Sequence, residues 1–189
     1  ASPQIERQAA INMPSGRTHD VITVFLALPA FAATYAVTRS PFASSVVAVA
    51  FIFGGVMFGP DLDTVSRQYS RWFIFRFLWY PYRSFFKHRS RFSHGLIFGA
   101  LIRVIYFLGV VTIAIYMGAV AWYGIAGDNT PALSDFTEVW RSIGTFVRKN
   151  LGDNFMFLAF IGLWLGAASH TFTDMAGSFI KTGRGMKFF

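Results

Sequence analysis

The chain has 189 residues and a net charge of +8, and 54% of its residues are hydrophobic while only 14% are charged. With 23 phenylalanines, this composition is too apolar for an ordinary soluble domain and indicates one membrane-embedded bundle. The absence of cysteine excludes disulfides, zinc–thiolate sites, iron–sulfur clusters and cysteine nucleophiles. In so apolar a chain the positive charge indicates anionic lipid headgroups, and we expect no nucleic acid partner.

The N-terminal part predicts a short tail followed by a helical hairpin. Residues 1–12 lack the hydrophobic core of a signal peptide, so they are either a plain tail or what remains after removal of a targeting peptide. Residues 21–37 and 42–58 are uncharged and reach the lower limit of roughly 17 residues for a membrane span. The Gly54-Gly55 pair in the second run favours close contact between helices.

The segment after the second run contains two aspartates and many aromatic residues. Pro60 ends the run and predicts an extended or turn-like Asp61-Leu62-Asp63. In an extended segment alternate side chains point the same way, so Asp61 and Asp63 are expected to face one site. Residues 71–83 mix aromatic residues with arginines and are too short and too charged to span, which indicates an interfacial segment.

The second half of the chain predicts two more spans and a surface helix. Residues 104–125 carry no charge and form the clearest span, and a fourth span begins near Phe155 and leads directly to His170. Between them, residues 133–151 repeat apolar side chains every three or four positions, as in an amphipathic helix on the membrane surface.

These elements predict an all-α integral membrane bundle of four transmembrane helices, with an interfacial aromatic and basic segment and an amphipathic surface helix. We divide the chain into an N-terminal tail (1–12), a four-helix membrane domain (13–180) and a basic C-terminal tail (181–189).

The four histidines lie near carboxylates or near one another in sequence, which is the pattern of a metal site assembled from distant segments. Counting spans places them all at one face of the membrane, together with several aspartates. The candidate ligands are His19, Asp61, Asp63, His88, His94, His170 and Asp174. Imidazole and carboxylate ligands without thiolate suit zinc, manganese or iron, and the number of ligands suggests two divalent ions.

Each motif taken alone has an ordinary structural explanation. His170 and Asp174 share a helix face, so they can bind one metal or simply hydrogen-bond to each other. His19-Asp20 is also compatible with the first turn of a helix, where an aspartate is favourable.

The remaining candidates have similar alternatives. An acidic pair after a span is often only solvated, and the basic residues around His88 and His94 can contact headgroups. Asp20 or Asp63 can orient a ligating histidine. An arginine can neutralise an anionic substrate; the candidates for this role are Arg89, Arg91 and Arg103.

The distribution of positive charge predicts the orientation of the bundle. Twelve of the seventeen Lys and Arg residues lie on the histidine side and four lie on the opposite side. The positive-inside rule therefore places the site on the cytoplasmic face, or on the stromal face of a thylakoid if the source is photosynthetic.

Four ordered motifs resemble those of the YdjM-like predicted membrane-bound metal-dependent hydrolases, in a branch of uncharacterised metal-binding proteins of archaea and photosynthetic bacteria. They are Met13-Pro-Ser-Gly-Arg-Thr-His-Asp20, Gly59-Pro-Asp-Leu-Asp63, His88-Arg-Ser-Arg-Phe-Ser-His94 and His170-Thr-Phe-Thr-Asp174. The resemblance covers about Met13 to Ser178 and implies a small multi-helix membrane protein in which the seven candidate ligands hold metal.

Two functions are consistent with this pattern. The first is a membrane-embedded metal-dependent hydrolase of phosphoesters or other anionic substrates at the membrane surface. The alternative is a non-catalytic subunit or assembly factor of a larger membrane complex, photosynthetic ones included, with a structural or vestigial metal site. Pigment ligation fits less well, because the histidines cluster near carboxylates. The expected partners are the lipid bilayer and, for the alternative, other membrane-protein subunits.

Overall fold

The computed structural model describes residues 16–85, 98–127 and 132–182. Within these ranges the chain forms helices and no strand. The α-helices are α1 (Gly16–Thr38), α2 (Pro41–Met57), α3 (Arg67–Arg71), α4 (Tyr80–Phe85), α5 (Phe98–Ala126), α6 (Leu133–Leu151) and α7 (Phe155–Thr182). Two 3-10 turns, Pro60–Asp63 and Phe73–Trp79, lie between α2 and α4.

Four helical stretches are long and apolar enough to cross a membrane: α1, α2 with the turn after it, α5 and α7. This confirms the predicted all-α bundle of four spans. The third span covers Phe98–Ala126 among the described residues, so the helix includes Arg103 before the charge-free run of residues 104–125. This arginine is only 1% exposed and lies inside the bundle.

The hairpin between α1 and α2 is closed by a short reversal at Arg39 and Ser40. Arg39 adopts a left-handed backbone with φ of 53°, which turns the chain back on itself. The Ser40 hydroxyl then accepts a hydrogen bond from the backbone N–H of Ala43 at 3.2 Å. Pro41 occupies the start of α2, where its missing N–H has no intrahelical partner to lose.

Helices α2 and α7 pack with their backbones in direct contact. A Cβ atom at Gly54 would overlap the carbonyl of Leu163, and one at Gly166 would overlap the carbonyl of Phe51. The Gly54-Gly55 pair therefore serves the close approach predicted for it. Gly162 contacts Val47 nearer the start of α2, so the two helices run in the same direction, and α2 ends at the level of the site.

An aromatic core lies beside the end of α2. Phe58 and Trp79 are 2% and 0% exposed, and their rings meet edge to face at 5.6 Å. Trp72, Tyr82 and Phe107 pack around them. Three of the seven aromatic side chains in the predicted interfacial segment, Trp72, Trp79 and Tyr82, are thus buried in the protein.

The other side of that segment is exposed and suits the membrane interface. Phe73 and Ile74 are each 77% exposed, and Phe75, Phe77 and Tyr80 are also exposed. One short segment therefore closes the core with one set of aromatic residues and presents the other set outward.

The amphipathic helix expected over residues 133–151 is present as α6 (Leu133–Leu151). The Asp135 carboxylate accepts a hydrogen bond from the backbone N–H of Ala132 at 2.9 Å and so caps the helix start. The apolar side of α6 is largely exposed, and Phe136 contacts the ring of Tyr116 on α5 at 5.5 Å. Its placement on lipid stays a prediction.

Candidate metal centre

Three of the predicted ligands meet at the end of the bundle. His19 comes from α1, Asp61 from the 3-10 turn after α2, and His170 from α7. The Nε2 atom of His170 lies 3.4 Å from Oδ2 of Asp61. The rings of His19 and His170 stack with centroids 3.9 Å apart and an interplanar angle of 11°. Both imidazoles are buried, at 5% and 3% exposure.

The stacked rings of His19 and His170 are not arranged to coordinate one metal ion together. Among the described residues, no group of three or more His, Asp or Glu side chains is arranged to hold a metal ion. The lone pair of an imidazole nitrogen lies in the ring plane, so the lone pairs of two parallel rings run side by side. One ring must tilt before both can converge on one ion.

The side chains of three further predicted ligands are outside the part of the chain that the structure describes. His88 and His94 fall within residues 86–97, which are not among the described residues. The backbone of Asp174 lies in α7, but its side chain is outside the described set. Their role as ligands stays a prediction.

The two aspartates of the Asp61-Leu62-Asp63 turn have different surroundings. The segment is a 3-10 turn, not an extended strand, because Pro60 is favourable at the first position of a helical turn. Alternate side chains of such a turn diverge by about 120°, since a 3-10 helix has three residues per turn. Accordingly, the Asp61 side chain is 37% exposed beside His170, whereas Asp63 is 6% exposed.

Arg103 is the charged partner behind this turn. Its Nε donates a hydrogen bond to the carbonyl of Phe58 at 2.7 Å, and its guanidinium interacts with Asp63 and Tyr82. Burial raises the pKa of the Tyr82 phenol, and the charge and hydrogen bond of Arg103 oppose that increase. Arg103 therefore anchors the turn from inside the bundle, and its burial leaves no access for a substrate.

Asp20 has a different partner from the one that its sequence position suggests. Its carboxylate pairs with the guanidinium of Arg71 on α3. Arg71 also donates to the carbonyl of Val56 at 2.8 Å. The contact joins α1 and the end of α2 to α3, so Asp20 supports the walls of the site.

Sequence reasoning missed Gln68, which is 4% exposed and contacts the site directly. Its Nε2 lies 3.1 Å from Nδ1 of His170. It also missed Thr23 and Ser169, whose hydroxyl oxygens lie 3.5 Å apart between α1 and α7. A glutamine in a helix of five residues has no periodic signal, so only tertiary packing identifies it.

The observed distance between His170 and Asp61 fits a divalent metal. In a tetrahedral site with metal–ligand bonds of about 2.0–2.2 Å, neighbouring ligand atoms lie about 3.3–3.6 Å apart. The 3.4 Å between Nε2 of His170 and Oδ2 of Asp61 falls within that range. Imidazole nitrogen and carboxylate oxygen are also suitable donors for zinc, manganese or iron.

A family profile described as "Uncharacterized metal-binding protein (DUF2227)" matches residues 14–184. The chain belongs to this family. The match covers all three of the ligands that the structure brings together, and it agrees with the expected branch of uncharacterised metal-binding proteins.

A relative is also similar to most of this chain. An uncharacterized protein of Aquifex aeolicus (strain VF5) is 27% identical over 134 residues, which cover 70% of this chain and 90% of that protein. No solved structure matches the chain.

Proposed function

We propose that the protein binds a divalent metal ion at one end of its membrane bundle and hydrolyses an anionic substrate there. The observation that carries the proposal is the 3.4 Å separation of His170 Nε2 and Asp61 Oδ2 between segments distant in sequence. Metal binding agrees with the description of the family, and hydrolysis is what the resemblance to the YdjM-like enzymes implies.

The burial and position of each site residue suggest its role. His170 and Asp61 hold the ion, which when bound supplies a Lewis acid and lowers the pKa of a coordinated water. His19 covers one face of the His170 ring and adds a third ligand when its ring tilts. Asp61 is the partly exposed member, so substrate and water reach the site from its side. A second ion would require His88 and His94.

The charges around the site favour an anionic substrate, such as a phosphoester, on the cytoplasmic side. Arg17 is exposed and lies two residues before His19, and Arg67 is exposed and directly precedes Gln68. Cationic side chains at headgroup depth attract phosphate groups and raise their local concentration.

Metal analysis of the protein in lipid nanodiscs tests the binding step. We expect the wild-type chain to retain zinc, manganese or iron after loading and desalting, and His170→Ala and Asp61→Asn to lose most of it. Asp153→Asn is the matched control, because Asp153 is exposed and lies at the opposite end of α7. A wild-type chain with no metal above the control background would overturn the proposal.

Activity is tested on the same samples with a chromogenic phosphomonoester and a chromogenic phosphodiester. We expect turnover that requires metal and falls at least tenfold in both site variants, with Asp153→Asn unchanged. Turnover that is equal in wild type and His170→Ala would exclude the site as its source.

One observation favours a second candidate, a non-catalytic subunit of a larger membrane complex. Helix α5 makes few contacts with the other described helices beyond its first turns, and most of its large side chains are exposed. Examples are Ile113, Met117 and Trp122, at 63%, 60% and 70% exposure. Bound metal with no turnover, together with a stable partner crosslinked through α5, would support this alternative.

A further inference from the structure

Gln68 is a buried polar residue with two contacts at the centre of the site. It lies on α3, between the end of α2 and α7. Its Nε2 donates to the carbonyl of Gly55 at 3.1 Å and lies 3.1 Å from Nδ1 of His170. A glutamine side chain loses much rotational freedom on burial, so the contacts that Gln68 makes must offset this loss of conformational entropy.

The carboxamide of Gln68 is confined on several sides. A Cβ atom at Gly59 would overlap the carboxamide, so glycine at this position leaves the space that Gln68 fills. The short helix that carries Gln68 is itself fixed, because the Ser66 hydroxyl accepts a hydrogen bond from the Tyr69 N–H at 3.1 Å. Arg71 fastens its other end to Val56 and Asp20. The position of the amide is therefore defined by the fold.

This contact decides which nitrogen of His170 faces the candidate metal position. Nδ1 is directed at Gln68, and Nε2 is directed at Asp61. When an imidazole binds metal through Nε2, its proton resides on Nδ1 and needs an acceptor. The Gln68 carboxamide offers both functions: its NH₂ donates to an unprotonated Nδ1, and a half-turn, which gives up the bond to the Gly55 carbonyl, brings its Oε1 to accept from a protonated one.

We propose that Gln68 is the positioning residue of the metal site, holding His170 by Nδ1 so that Nε2 binds the ion beside Asp61. The inference rests on the proposed metal-binding function, and it adds that a residue outside the ligand set controls affinity. Hydrogen-bond partners of ligating histidines typically change metal affinity by about 10–100-fold when they are removed.

Zinc affinity of the full chain in nanodiscs, measured by competition with a chromophoric chelator, tests the inference. Gln68→Met keeps the length of the side chain and removes both hydrogen-bonding functions, so we expect zinc affinity to fall about 10–100-fold. Gln68→Glu keeps an acceptor for Nδ1–H, so we expect affinity within about threefold of wild type or tighter. Ser70→Ala is the matched control on the same helix, since Ser70 is exposed and its hydroxyl donates to the Ser66 carbonyl at 2.9 Å.

The outcomes separate this inference from the proposed function. A wild-type chain that binds none of zinc, manganese and iron overturns both. Wild-type binding with equal affinity in Gln68→Met overturns the positioning role and leaves the metal function standing. Equal losses in Gln68→Met and Gln68→Glu also overturn it, because they would show that only the bond to the Gly55 carbonyl matters. If Gln68→Met does not fold, a loss of zinc affinity of more than tenfold in Gln68→Glu also overturns the positioning role.

Discussion

The imidazole of His19 lies flat against that of His170, with ring centroids 3.9 Å apart. The two residues belong to the first and last spans, so this contact joins the ends of the described chain at one side of the bundle. A buried stack of this kind stabilises the fold through packing and also keeps a second imidazole within reach of Asp61. Substitution can separate those two contributions.

His19→Phe is expected to keep the stack and to lose a metal ligand. Phenylalanine preserves a flat ring with no nitrogen, so the thermal unfolding temperature should change little. Zinc affinity should fall at least tenfold in the chelator competition assay. His19→Ala serves as the comparison, because it removes both the ring and the nitrogen and should lower stability as well. Unchanged zinc affinity in His19→Phe would show that His19 only packs against His170.

Arg103→Met is expected to destabilise the bundle strongly. It removes the donor to the Phe58 carbonyl and the cation beside Asp63, which leaves buried polar groups uncompensated. The expected loss is roughly 3–5 kcal/mol, the usual effect of removing one partner of a buried ion pair. Unfolding titrations in mixed detergent micelles measure this loss.

A double variant in the same unfolding titrations tests the contact between Arg103 and Asp63. The double variant Arg103→Met/Asp63→Asn should lose clearly less than the two single losses together, because residues in one network are not additive. Arg141→Met on α6 is the control, since Arg141 is exposed and should change stability by less than about 0.5 kcal/mol. Additive losses for the pair would refute the interaction of Arg103 with Asp63.

Gly166→Ala is expected to loosen the contact between α2 and α7. The new methyl group would overlap the carbonyl of Phe51, and overpacking of this kind costs about 1–3 kcal/mol. Gly109→Ala and Gly118→Ala on α5 are matched controls, because a Cβ at either position meets nothing within 4 Å. They should be neutral or stabilising by up to about 1 kcal/mol through helix propensity. Equal effects at all three glycines would contradict the close packing of α2 on α7.

Cysteine labelling tests the orientation. The chain contains no cysteine, so single-cysteine variants at Arg17, Arg67 and Asp153 report on one position each. Arg17 and Arg67 should react with a membrane-impermeant reagent only from the cytoplasmic side. Asp153, which follows the far-side helix α6, should react only from the opposite side. Labelling of residues 17 and 153 from the same side would disprove the four-span topology.

Sequence patterns were sufficient to predict the elements of this fold. A long charge-free run in a chain of this composition has few stable alternatives to a membrane helix, since backbone groups in lipid must bond within the segment. The apolar repeat of residues 133–151 was likewise sufficient for α6. Counting the spans brought His19, Asp61 and His170 to one end of the bundle, as the structure also does.

The details of the site depended on contacts between distant segments. Local rules allowed an extended or a turn-like Asp61-Leu62-Asp63; the segment is a 3-10 turn, and Arg103 of α5 interacts with Asp63. The sequence allowed Arg103 to lie either at headgroup depth or facing the bundle interior, and packing decides for the interior.

The sequence by itself therefore determined how many helices are long and apolar enough to cross a membrane and at which end of the bundle His19 and His170 lie, because burial of backbone in lipid depends on composition along one segment. Only the tertiary structure decided that Asp61 faces His170 while Asp63 faces Arg103. It alone showed that Gln68 meets Nδ1 of His170. These contacts depend on side chains from three or four helices that lie within a few ångströms of each other. The periodicity along one helix does not predict those distances.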